Sequence, residues 1–219
     1  MSEKYINPDS DGRFYELEEM ARVNCRDCKG CSACCEHMGR SILLDPYDVV
    51  KLAKATGKDF AQMLSEGLIE LTIEQGLIIP CIKMQKATDA CPFLVNQRCS
   101  IHSDRPGYCR LFPLGRDFQN GEFRYILLNK LCPANKSKIK VSDWIGISQS
   151  RQYHEYIENW HSFKKYISQK LEGEEEAVQK DFGMYLLNMF YIKADFTIDE
   201  FFAQIEVKIS KIKNVVENM

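Results

Sequence analysis

"CRDCKGCSACC", residues 25–35, sets five cysteines in eleven positions, with Cys34 and Cys35 adjacent. A disulfide framework, a metal site, a redox couple and an accident of composition are the readings open to it. Cys-x-x-Cys spacing lets two thiolates from one turn meet a single ion, and this loop offers three, with Gly30 freeing the backbone to curl. Structural zinc takes four tetrahedral ligands, commonly cysteines. A [4Fe–4S] cluster also takes four thiolates, and closely spaced Cys-x-x-Cys-x-x-Cys runs are typical of it. Adjacent residues tend to point their side chains apart. Cys34 and Cys35 are therefore expected to face different directions, feeding two sites, or one coordinating while the other supports.

Working outward, the other cysteines are Cys81, Cys91, Cys99, Cys109 and Cys132, and none falls in the last third of the chain. Cysteines serving only as small core residues would be scattered through both regions, so that reading survives only for the isolated Cys81. Eight to ten thiols match two four-ligand centres in number.

The 219 residues carry a net charge of −2, with 45% hydrophobic and 27% charged residues, as in an ordinary globular protein. No broad basic field favours nucleic acid or an anionic membrane. The start, "MSEKYINPDSDGRFYE", is polar and mixed in charge, unlike a signal peptide. "MYLLNMFYI" (184–192) is too short to span a bilayer. A cytoplasmic protein with neither nucleic-acid nor membrane partners is the expectation, and in that compartment thiols read as ligands or redox groups rather than disulfides.

Local patterns predict an α+β fold. Asp45, Pro46 and Asp48 form a helix start with a capping box, Gly57 ends that helix, and Asp59 opens a shorter one. Two strands turn near Gln75-Gly76, a tight hairpin turns at Asn96-Gln97, and another at Asn120-Gly121. From Ser142 the pattern is helical. Tyr153, Tyr156, Ile157, Trp160, Phe163, Ile167 and Leu171 form one apolar stripe, and "LEGEEE" (171–176) breaks the helix. A second helix covers about 177–192, and "TIDE" (197–200) reads as a capping box for a third, striped by Ile198, Phe201, Phe202, Ile205, Ile209, Ile212 and Val216. The expected division is a small cysteine-rich, metal-stapled domain with short hairpins over residues 1–140 and a helical extension over 141–219. That extension could also meet a protein partner. His154 and His161, seven apart on one helix face, read as a surface pair rather than a metal site.

"CKGCSACC" (28–35), then "LLDPYDVVKLAKATG", "CPFL" and "CSIHSDRPGYCRLFP" (99–113), resemble in order the blocks of the YkgJ-like CxxCxxCC cysteine-cluster family of zinc- or iron-chelating proteins, over about residues 25–135. The resemblance implies metal ligands at Cys28, Cys31, Cys34, Cys35, Cys91, Cys99 and Cys109, with Cys132 an eighth and Cys25 and Cys81 as weaker additions. Two departures are Cys25, ahead of the motif, and His102, where the family usually has tyrosine; His102 is expected to fill the aromatic's place. Arg105 and Arg110, near Cys109, could offset thiolate charge. The ligand cysteines are expected to converge. Cys25-x-x-Cys28-x-x-Cys31 and the prolines after Cys91 and Cys132 lean toward a [4Fe–4S] cluster over Zn2+ for at least one centre. The implied function is metal binding in a structural, redox or sensing role, in a protein of bacterial type. The alternatives are a protein lysine N-methyltransferase related to flagellin N-methylases, although no S-adenosylmethionine-binding glycine loop is recognisable, and a metal-delivery protein.

Overall fold

The structure, a computed structural model, describes residues 7–24, 31–119, 122–132 and 137–217. Two short strands that the sequence reading did not single out open it: β1 (Phe14–Tyr15) and β2 (Met20–Asn24). After the cysteine loop, helix α1 (Pro46–Thr56) begins as its sequence dictates. Asp45 Oδ1 accepts the Asp48 backbone N–H at 2.9 Å, and Asp48 Oδ2 accepts that of Asp45 at 3.2 Å. Gly57 stops the helix in the left-handed region, at φ 68°. Asp59 and Gln62 make the same reciprocal cap for α2 (Phe60–Ser65).

Strands β3 (Ile69–Glu74) and β4 (Leu77–Ile82) pair across Gln75 and Gly76, both at positive φ as a primed turn requires. Asn96 and Gln97 do the same between β5 (Leu94–Val95) and β6 (Arg98–Cys99). Helix α3 (Gly107–Leu111) follows, then the hairpin of β7 (Leu114–Gln119) and β8 (Glu122–Leu127), whose Asn120-Gly121 turn lies outside the described residues. Strand β9 (Ser137–Lys140) leads into a short helix, α4 (Val141–Ile145). β1 pairs with β8, giving a three-stranded antiparallel sheet ordered β1-β8-β7, and β2 pairs with β9.

The helical third holds one element more than expected, because α4 precedes the long α5 (Ser150–Leu171). Helix α6 (Glu176–Leu187) continues into a π-helical turn at Asn188–Ile192, and α7 (Phe201–Glu217) closes the fold. The start of α7 departs from the expected capping box. The Thr197 N–H donates to Gln204 Oε1 at 2.9 Å, and Gln204 Nε2 reaches Glu200 Oε2 at 3.1 Å. A glutamine one turn inside the helix thus takes the place assigned to Glu200.

The stripes of α5 and α7 close on α1. Tyr47 lies against Tyr153, Tyr156, Phe201 and Phe202, with ring centroids 5.0 to 6.5 Å apart. Trp160 and Phe163 meet Phe190 edge-on. Each such buried aromatic contributes roughly 1.5–3 kcal/mol of burial. The result is a firm back wall behind the cysteine loops.

Candidate metal centre

Three loops deliver thiols to one place. The 3-10 turn Ala33–Cys35 carries Cys34 and Cys35, with Cys31 just ahead of it. The Cys35 carbonyl accepts the Cys91 N–H at 2.7 Å, fastening this turn to the second cysteine block. Cys99 ends the short β6, and Cys109 sits in α3. Cys31, Cys34, Cys35, Cys91, Cys99 and Cys109 all line one small cavity of about 40 Å³. Its apolar walls are Ile42, Ile82, Phe93 and Ile101.

Within that set, four thiols act on one another. Burial first, then Cys34, Cys91 and Cys99, push the Cys109 thiol well above its ordinary range. Burial, then Cys99 and Cys34, raise Cys91 to about 11, while backbone N–H groups of Phe93 and Leu94 favour its thiolate. Burial also raises Cys99, against the Ile101 N–H and the Arg105 and Arg98 guanidiniums. Cys34 is raised most by the adjacent Cys35 thiol, then by burial. Cys34 and Cys35 line this cavity together rather than dividing between two sites. In a 3-10 turn successive side chains are only about 120° apart, so both can flank one hollow.

The other assigned residues fall elsewhere. Cys81 is fully buried on β4; Ile82 beside it lines the cavity, and strand alternation sends Cys81 to the opposite face. Cys132 is buried but does not line this cavity. Cys25 and Cys28 lie outside the described residues. Of the two arginines, Arg105 lines the cavity, whereas Arg110 turns away to the carbonyls of Ser103 (2.6 Å) and Ile145 (3.4 Å). His102 lines the cavity, and so does Arg98, which the sequence reading missed. His154 and His161 are not a free surface pair. The first reaches Tyr125 Oη at 3.2 Å and the second stacks on Phe118 at 3.7 Å, so both brace the β7–β8 hairpin.

The support behind Cys109 was also invisible in sequence. Asp48, already in the α1 cap, accepts the Gly107 N–H at 2.7 Å and pins the first residue of α3. A Cβ on Gly107 would collide with Arg116 Nη2 and with Tyr153 Oη at 2.6 Å, so any larger residue there would force those side chains to shift. One buried carboxylate thus ties a helix cap to a cysteine two residues past its partner.

The donor set suits a soft or borderline metal: several thiols, an apolar wall, backbone N–H groups aimed at sulfur, and two guanidiniums to balance charge. Among the described residues, no three Cys, His, Asp or Glu side chains stand close enough to chelate an ion as placed, so ligation requires the sulfurs to draw inward. The class defined is a cysteine-cluster metal-binding protein. A family model, CxxCxxCC, described as a putative zinc- or iron-chelating domain, matches residues 27–133. No curated protein and no solved structure matches the chain significantly. Among the described residues, no helix is long and apolar enough to cross a membrane.

Proposed function

We propose that residues 1–140 bind an iron–sulfur centre in preference to zinc, in a structural role that also permits electron transfer or sensing, with residues 141–219 as the helical brace behind them. The carrying observation is that Cys34, Cys91, Cys99 and Cys109, from three separate loops, surround one apolar cavity and perturb one another. These four are the proposed ligands of one centre. Cys31 and Cys35 at the same cavity, and Cys28 by its spacing, are held as neighbouring ligands. Cys132, with Cys25 and Cys81, stands further from the proposal. A centre bound there would supply redox chemistry or a structural cross-link. The chain's own contribution is to hold the thiols apart from water, to donate N–H groups to Cys91 and Cys99, and to offset charge through Arg98 and Arg105.

Protein expressed with ample iron and kept without oxygen tests the reading. Broad absorption near ~400 nm, with iron and sulfide in stoichiometric amounts, is expected. A colourless protein holding only zinc would replace the iron–sulfur reading with zinc chelation.

A further inference from the structure

Cys109 sits in the middle of α3, and five residues cannot hold a helix by themselves. Pro106, at the N-cap position, offers no side-chain cap. Other parts of the chain supply the hold. Asp48 on α1 accepts the Gly107 N–H at 2.7 Å, and the Leu111 carbonyl accepts the Trp144 Nε1–H at 2.9 Å. These two contacts tie the ends of the helix to α1 and α4, neither of which carries a proposed ligand. Arg110 makes a different connection. Its side chain is buried, Nη2 donates to the Ser103 carbonyl at 2.6 Å, and Nη1 donates to the Ile145 carbonyl at 3.4 Å.

Ser103 lies four residues after Cys99, and Arg110 directly follows Cys109. One guanidinium thus closes the chain between the two thiols into a loop and fastens that loop to Ile145, the last residue of α4. The same loop carries His102 and Arg105 to the thiol cavity. A charge in this position is costly, since burial, then Arg105, work against it. Its hydrogen bonds go to carbonyls rather than carboxylates. What a guanidinium offers here, and an ammonium does not, is a rigid planar fork that reaches acceptors on two separate segments at once.

We propose that Arg110 is a positioning residue for the thiol centre: by clamping the Cys99–Cys109 loop against α4, it fixes the distance between those two thiols. The consequence for a bound metal rests on the reading of Cys99 and Cys109 as ligands of one centre; the consequence for the thiols themselves does not.

Alkylation of the full-length protein as purified, read cysteine by cysteine by mass spectrometry, tests it. Cys81 is the internal reference, because it is fully buried on β4 and does not line the cavity. A variant that is merely less stable should label Cys81 and Cys109 faster by the same factor. Arg110→Ala should instead speed Cys109 at least about 10-fold relative to Cys81, as expected for lost hydrogen bonds from a charged group. Arg110→Lys keeps a donor without the fork and should shift the same ratio by a smaller factor. It is the variant to read if the alanine protein loses its native circular dichroism. In cadmium-loaded protein, both variants should change the thiolate-to-metal absorption and lose the ion to EDTA faster, whereas Phe201→Ala should do neither. An unchanged Cys109-to-Cys81 ratio in folded variants would overturn the proposal, as would unaltered cadmium absorption and release. Unaltered protein that takes up no cadmium would count against the ligand reading instead, and the labelling ratio would still judge Arg110.

Discussion

Cys34, Cys91, Cys99 and Cys109 reach their cavity on a 3-10 turn, an irregular loop, a two-residue strand and a five-residue helix. Tyr153, Tyr156, Trp160 and Phe163 ride on one unbroken helix of 22 residues and are buried against α1, α7 and the π-helical turn. The first region has almost no regular structure of its own to resist unfolding, since a two-stranded ladder of two residues is not independently stable. The second is held mainly by buried apolar area. Where the chain is thin in secondary structure it is rich in thiols, and where it is rich in aromatic core it has none. The difference shows which region would gain from the proposed metal cross-link: the loops, not the helices.

The largest expected effect breaks the two regions apart. Structural metal can contribute ~10 kcal/mol or more to folding in small domains. Chelation, or Cys34→Ser with Cys109→Ser, should therefore strip hydrogen-exchange protection from residues 31–35 and 91–111. Protection in α5 and α7 should persist. Equal loss in both regions would mean that they form one cooperative unit, and no loss in either would mean that the thiols carry no cross-link.

Cutting from the other side comes next in size. Phe201 is fully buried between Tyr47, Tyr156, Phe196 and Phe202. Phe201→Ala should cost about 3–5 kcal/mol by urea unfolding. Metal content of the remaining folded protein should be unchanged. A parallel fall in bound metal would show that the aromatic wall sets the thiol geometry directly.

What the sequence made legible follows the same divide. The α1 and α2 caps and the Gln75-Gly76 and Asn96-Gln97 turns were readable because each depends on residues a few positions apart. The stripes of α5 and α7 were readable because periodicity is local too. The β1–β8 and β2–β9 pairings were not, because strands of two and five residues carry little pattern and find partners across the whole cysteine region. At the site, the cysteines themselves were plain. Their sorting was not: Cys132 away from the cavity, Cys34 and Cys35 at the same cavity, and Arg98 rather than Arg110 beside the sulfurs all depend on tertiary placement. Asp48 read only as a cap, because nothing in a linear pattern reveals that its second duty is to Gly107.

Gly107 sits where the two regions touch, so it sharpens the comparison with a smaller effect. Gly107→Ala places a methyl group against Arg116 and Tyr153, whose hydrogen bond must give way. The expected cost is about 1–3 kcal/mol. Because Cys109 lies two residues on, bound metal should also become easier to remove with a chelator. A stability loss with metal retention unchanged would limit Gly107 to the helical side of the boundary.

The smallest effect concerns pH and the two histidines that brace the β7–β8 hairpin. Burial, then Lys164 and Lys165, hold His161 below its ordinary value, with Glu74 opposing. Burial likewise lowers His154, with Glu158, Glu16 and Glu155 opposing. A histidine lowered by folding binds more protons when unfolded, so its contribution is fully present above the unfolded value near 6.5 and is lost as pH falls through it. The buried Asp45 and Asp48 carboxyls are raised by folding and have the opposite sign, gaining stability on acidification. The total profile therefore mixes both, and a difference is needed to separate them. His161→Phe keeps a ring to stack on Phe118 but cannot take a proton. Between about pH 7.5 and pH 5.5, the natural protein should lose more thermal stability than the variant, by at most about 2–4 °C. Parallel melting-temperature profiles would show that His161 stays neutral, or is equally protonated, in both folded and unfolded chains, and would remove it from the acid response of the helical side.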